Sequence, residues 1–356
     1  MGHGWRAGFY PRIAAALPEV FECVGIVTRE LSTGRGVEER WHVPTFRTVR
    51  ELAAVGDLDA VVVAVPPPAA PVVIEELAAR GIPVLTETPP APTTDELNRL
   101  WTRVGGSGLV MVAEQHPFLP AFVALRGVVS SGVLGDVRSA SLSWTHEHHA
   151  MALLRSLAGI GGPGTRVLAT RASVPLLDGP DRGGRPDRPA VSPRHHTTAM
   201  LTDGERLAQY DFTDTQWFNP LRRRQVSVRG SHGEIVGTDV TWAVDGEVVS
   251  APIVRRQLGL DGNLEGTGLA TLSWSGRTLY RNPFPTASFS DEELAVATCL
   301  LEVTDPRGPR GYSLADGCED RYLAILVDES SDSRAERVAE PQSWSAALGG
   351  GAEERA

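Results

Sequence analysis

Two short stretches concentrate residues able to do chemistry. W-T-H-E-H-H-A-M-A-L-L-R (144–155) gathers His146, His148 and His149 around Glu147. Imidazole titrates near neutrality, so this cluster can carry protons, hold a metal, or merely line a polar interface. In an extended chain His146 and His148 share one face with Glu147 opposite. No further ligand stands at helical spacing, so the cluster is read as a hydrogen-bonded proton relay, with no metal assigned. The second stretch, Gly2-His3-Gly4-Trp5-Arg6-Ala7, fits G-x-G-x-x-(G/A) and precedes a helical pattern over Tyr10–Leu17. Such a loop brings backbone N–H groups close to a pyrophosphate at a helix N-terminus, where the helix dipole favours negative charge.

Other single residues extend this list. The β-rich run Phe21–Thr28 ends in Thr28 and Arg29 rather than an acidic residue. A carboxylate there holds the ribose 2′-OH of NAD, whereas arginine pairs with the 2′-phosphate of NADP, which tilts the expectation to NADP. The alternative is an ordinary surface arginine. V-L-T-E-T-P-P-A-P (84–92) delivers Glu87 at the end of an apolar strand. His116 follows Gln115 in a loop, His195-His196 read as solvent-facing, and Arg222-Arg223-Arg224 as a solvated charge run at a strand edge, with binding of an anionic partner as the alternative. All 34 basic residues are arginine. With no lysine anywhere, a phosphate-loop lysine, a Schiff base and a lysine acid/base are excluded.

The elements that must position these residues alternate over 1–115. Ala60–Val65 (A-V-V-V-A-V) is a continuous apolar strand of the kind buried on both faces of a parallel sheet. Helix Pro71–Arg80, strand Ile82–Thr86, helix Thr94–Val104 and strand Gly108–Ala113 follow, a βαβ order that predicts a doubly wound parallel sheet. The strand that should precede the glycine loop is missing; either an upstream start precedes Met1 or the domain is degenerate. Beyond Val133 come an alternating strand, Val137–Trp144, a helix, His149–Ala158, and strands in series at Leu207–Phe212, Gln225–Arg229, Val240–Val244 and Leu269–Trp274. Helices Asp291–Val303 and Leu314–Asp328 close this part. Residues 178–194, rich in Gly, Pro, Arg and Asp, read as a mobile surface loop, and 331–356 as a disordered tail.

Composition bounds the rest. At 356 residues with 42% apolar content, the chain suits two domains with real cores. A net charge of −10 argues against nucleic acid and anionic membranes as partners. No uninterrupted run of apolar residues is long enough to span a bilayer. Cys23, Cys299 and Cys318 lack metal-ligand spacing and read as reduced thiols of a cytoplasmic protein.

Four further segments, in order, resemble the Gfo/Idh/MocA family of NAD(P)-dependent oxidoreductases. D-L-D-A-V-V-V-A-V-P-P-P (57–68) is similar to the family's D-A-V-x-x-A-T-P, and V-L-T-E-T-P (84–89) to V-x-x-E-K-P. V-A-E-Q-H-P-F-L-P-A (112–121) is similar to N-x-R-F-x-P with Gln115 at the asparagine, and S-G-V-L-G-D-V (131–137) to G-x-I-G-x-V. The resemblance runs from the glycine loop to about residue 328. It implies a Rossmann-type NAD(P)-binding domain over 1–118 and an α+β substrate and oligomerisation domain over 119–330 with an open, mostly antiparallel sheet.

It also implies roles. Gly2, Gly4, Trp5, Arg6 and Ala7 would hold pyrophosphate, and Thr28 and Arg29 the ribose end. Val65, Pro66, Glu87 and Gln115 would border the nicotinamide. His149 falls on the histidine of the family's D-x-G-x-H-x-x-D-x-x-R, with Arg155 six residues on. His149, helped by His116 or His148, would take the proton-transfer role. The departures are specific: the lysine of E-K-P is Thr88, the arginine of N-x-R-F is Pro117, a histidine after the proline strand is Ala70, and two aspartates are Thr145 and Ala152. The implied activity is hydride transfer to or from a carbinol or carbonyl carbon of a small sugar- or cyclitol-like substrate by a homo-oligomer. The rival is a nucleotide-binding protein of the same fold that has lost catalysis.

Overall fold

The computed structural model describes residues 1–259, 266, 268–305, 307–308 and 310–348. Valine-rich strands Val61–Val63, Val84–Thr86 and Val110–Val112 pair in parallel, the middle one buried on both faces and the outer two half-buried at Val62 and Met111, with helices Ala70–Ala78 and Thr94–Val104 between them. Thr93 caps the second helix by accepting from the Glu96 N–H at 3.4 Å. Ile26–Val27 pairs in parallel with Thr45–Phe46 as a separate two-stranded piece. Only Met1 and Gly2 stand between the two pieces: Gly2 N donates to the Val27 carbonyl at 3.2 Å, and Met1 O accepts from Ala64 N at 2.9 Å. The β-rich run Phe21–Thr28 is therefore strand at Ile26–Val27 alone, because its neighbour supplies just these two residues to pair with.

The second domain is a nine-stranded sheet, antiparallel throughout except where Val137–Ser143 runs parallel to Leu207–Thr213. Helices Glu147–Ala158 and Leu314–Ser333 pack against each other on one face. A long hairpin, Arg166–Leu177 with Val191–Thr202, was not legible as strands in the sequence. Two boundaries differ from expectation. Helix Asp291–Val303 packs through Leu294, Ala297 and Val303 with Phe9, Tyr10 and Ile13, so it serves the first domain. Tyr312 O accepts from Val112 N at 2.8 Å, which closes the exposed edge of the parallel sheet. Among the described residues no helix is long and apolar enough to cross a membrane.

The expected disordered tail is corrected as far as Leu348; 349–356 lie outside the described residues. Arg337–Val338 adds a ninth strand beside Arg166 and Val167. Trp344 is fully buried and donates from Nε1 to Glu319 Oε2 at 2.8 Å, while Glu319 Oε1 accepts from Gly162 N at 2.8 Å. A polar composition hid one large anchor. The 178–194 loop is likewise corrected: its last residues belong to strand Val191–Thr202, and Arg182 lies 4.3 Å from the Trp5 ring centroid. We expect Trp344→Ala to destabilise the protein by about 3–5 kcal/mol in chemical denaturation, from lost burial and an orphaned Glu319. A change within about 0.5 kcal/mol would contradict this packing.

Candidate active site

The glycine loop lies at the carboxyl ends of the parallel strands, where open α/β sheets bind ligands. Gly2 has φ 107°, and a Cβ there would stand 2.1 Å from the Ala64 carbonyl oxygen, so only glycine lets the loop cross that strand end. A Cβ on Gly4 would meet nothing within 4 Å, which leaves its backbone open to the cleft. That cleft, ≈ 1200 Å³, is lined by Gly2, Gly4, Trp5, Arg6 and Ala7, by Thr28, Arg29 and Glu30, and by Val65 and Pro66. Size, the glycine cradle and the following helix Phe9–Ala16 fit a dinucleotide. At its far end Arg47 Nη1 donates to the Thr28 carbonyl at 3.0 Å and also bonds the Thr28 hydroxyl. Thr28 is thereby buried, and Arg29, Arg47 and Arg50 bring cations to the ribose end, with Glu30 and Glu51 among them.

Arg6 ties this loop to a second cavity of ≈ 240 Å³ that His116, His146 and His149 also line. Its Nη1 donates to Glu292 Oε1 at 3.0 Å, and Nε lies 3.7 Å from Glu87 Oε1. The Gln115 amide oxygen accepts from Arg6 Nη2 at 3.0 Å while its nitrogen donates to the Ala113 carbonyl at 3.0 Å. Glu87 therefore stands behind Arg6, bonded also by the Tyr10 hydroxyl, and lines neither cavity. The expected place for it, bordering the nicotinamide, is corrected by these two partners. Burial raises the Glu87 pKa and, together with Glu87, raises that of Tyr10 well above its usual range. Thr88 lines neither cavity.

The centre of the site is a residue the sequence reading passed over. Glu114 follows strand Val110–Val112 at 1% exposure and accepts from His116 Nδ1 at 2.7 Å and His149 Nδ1 at 2.6 Å. Burial works against its charge, yet His149 and His116 hold its carboxyl well below the usual range. Burial likewise works against charge on His149, but Glu114 raises its pKa above 6.5. His116 goes the other way, lowered by burial and by the neighbouring His149. Two imidazoles of opposed proton affinity on one carboxylate form a proton-holding unit. With both Nδ1 atoms engaged, the Nε2 atoms of His149 and His116 are the ring nitrogens left for a ligand in the cavity. The donor atoms of Glu114, His116 and His149 lie within 4.8 Å of one another, so the same set has the composition of a cation site. The signal available in the sequence was position: an acid just past an apolar strand of a doubly wound sheet.

The other histidines separate. His146 is the N-cap of helix Glu147–Ala158, so His146 and His148 do not share an extended face. Glu147 at φ 48° makes the sharp turn that sends His146 to the cavity wall, 4.6 Å from the Trp217 ring. Burial and the facing His149 push its pKa down to about 3. His148 is corrected as a catalytic candidate: it is buried, lines neither cavity, and neither ring nitrogen has a hydrogen-bond partner among the described residues. Arg155 anchors the helix, donating to Asp320 at 2.7 Å and Asp316 at 2.9 Å.

Residues 2–115 match the model of the oxidoreductase family with an NAD-binding Rossmann fold, Gfo/Idh/MocA. The matched span takes in the glycine loop and the parallel strands. None of the curated proteins matches the sequence. Solved structures share the fold over nearly the whole chain. Levoglucosan dehydrogenase in complex with NADH and levoglucosan is 15% identical, with a TM-score of 0.67 over 95% of this chain and 97% of that one. A putative myo-inositol dehydrogenase from Sinorhizobium meliloti 1021 is 17% identical, with a TM-score of 0.64 over 95% and 97%. An oxidoreductase from Agrobacterium radiobacter, in complex with NAD+, L-tartaric acid and magnesium, is 15% identical, with a TM-score of 0.66 over 93% and 95%.

Replacing Glu114 leaves a buried histidine pair without its counter-charge. The raised His149 contributes stability that is full below its unfolded pKa of 6.5 and lost as pH rises through its folded value. The depressed Glu114 contributes stability that is full above 4.5 and lost as pH falls through its folded value. Glu114→Gln is therefore expected to cost about 3 kcal/mol, most strongly between pH 4.5 and 6.5. His149 in that variant should titrate at lower pH by NMR. An unchanged His149 titration would remove Glu114 from this role.

Proposed function

We propose that this chain is an NAD(P)(H)-dependent dehydrogenase that moves hydride to or from a carbinol carbon of a small polyol, with His149 as the proton carrier. The observation that carries this reading is the buried Glu114 carboxylate 2.6 Å from Nδ1 of His149, which lines a cavity sharing Trp5 and Arg6 with the dinucleotide cleft. A bound nicotinamide supplies the hydride acceptor or donor. In the oxidation direction the substrate O–H proton passes to neutral His149 Nε2 as the C–H hydride departs, and Glu114 stabilises the imidazolium that forms. His116, held neutral by burial and donating to the same carboxylate, keeps Glu114 in place. The neighbours named for myo-inositol and levoglucosan support a polyol substrate.

Two finer points belong to the same reading. Arg29, Arg47 and Arg50 at the ribose end favour NADP, with Glu30 as the competing NAD-type partner. Leu168 and Met200, directly paired and exposed on the outer face of the nine-stranded sheet, favour association of copies through that face. A second reading, a nucleotide-binding protein without turnover, draws on the absence of lysine and on Thr88, which lines neither cavity.

The test is hydride exchange with NAD+, NADP+ and a polyol panel. Turnover should rise with pH along a limb above 6.5, set by deprotonation of His149. His149→Ala should reduce kcat by about 10²–10⁴-fold and erase that limb. Glu114→Gln should move the limb to lower pH. Cofactor binding without turnover on any polyol would leave the second reading standing.

A further inference from the structure

The cavity beside His149 has an unusual balance of charge for a chain of net charge −10. Its one carboxylate, Glu292, is already bonded to Arg6. Two further cations line it, Arg182 and Arg224, and neither has a carboxylate partner among the described residues. Arg224 lies 5.5 Å from the Trp144 ring centroid and donates from Nη2 to the Trp217 carbonyl at 3.2 Å. Arg182 lies 4.3 Å from the Trp5 ring centroid. An aromatic face takes up the plane of a guanidinium and leaves its N–H edge for a planar or tetrahedral oxyanion. The two also differ in place: Arg182 lines both the dinucleotide cleft and this cavity, whereas Arg224 lines the cavity alone. A cofactor phosphate thus accounts for Arg182 but not for Arg224.

We infer that the substrate is a small polyol bearing an oxyanion, a carboxylate or a phosphate ester, held by Arg224 and Arg182 in the cavity lined by His149. The inference rests on the reading of that cavity as the substrate site. An oxyanion there supplies the carboxylate-type partner that both guanidinium groups lack among the described residues, and the locally positive wall draws anions in against the overall negative charge. It also places a fixed negative group near His149, which favours the imidazolium formed during oxidation.

The experiment is calorimetric titration of the full chain, saturated with NADH or NADPH, with glucuronate, glucose 6-phosphate and glucose. At least one anion should bind about tenfold or more tightly than glucose, and added salt should shrink the difference. Whichever anion is preferred distinguishes carboxylate from phosphate. Arg224→Ala should abolish the preference while leaving affinity for the reduced cofactor unchanged, and Arg224→Lys should retain part of it. Equal binding of glucose and both anions, no binding of either anion, or a preference that survives Arg224→Ala would each overturn the inference. Anion binding lost in Arg224→Ala, but with no hydride transfer on any substrate, would instead defeat the dehydrogenase reading and leave the anion site intact.

Discussion

Burying a carboxylate without partners is far too costly to sustain, and Glu114 meets that constraint by engaging two histidines from different parts of the chain. His116 comes from the short turn two residues on, and His149 from the helix that leaves the second domain's sheet. The carboxylate thus ties the end of the parallel sheet to the second domain, behind two histidines that line the smaller cavity. Proton affinities around it diverge: Glu114 raises that of His149, whereas burial and the neighbouring His149 lower those of His116 and His146, the latter to about 3.

A second constraint, close approach of backbone, shapes the other cavity. Gly2 packs against the Ala64 carbonyl, and this contact lets the loop turn from the sheet into helix Phe9–Ala16. Arg6 then joins the two cavities through Glu87, Glu292 and Gln115. Glu292 sits in the first turn of Asp291–Val303, a helix distant in sequence whose apolar face packs on the first domain. Ion pairing at the surface and hydrophobic burial beneath it hold this helix where the loop needs it.

Much of this was legible locally. Helix Thr94–Val104 has the bounds read from the sequence, and the valine runs marked the parallel strands. The glycine loop and His149 were readable because spacing alone limits what such residues can do. Glu114, Tyr10 and Arg182 were not, since each acquires its role from a partner at least 35 residues away or from a different element, as with His149 and Trp5. The tail misled for the opposite reason: average polarity concealed one tryptophan whose burial outweighs its neighbours.

The sequence alone determined the doubly wound sheet, the change to an antiparallel second domain, the nucleotide loop and the exclusion of lysine chemistry. These rest on periodicity, composition and short-range backbone geometry, all of which are local. Only the tertiary structure decided which acid meets which histidine, and which of the three clustered histidines line the cavity. A left-handed turn at Glu147 and the burial of Glu114 settle those choices. Proton affinity depends on desolvation and on charges within a few ångströms, and the chain brings those together only when it folds.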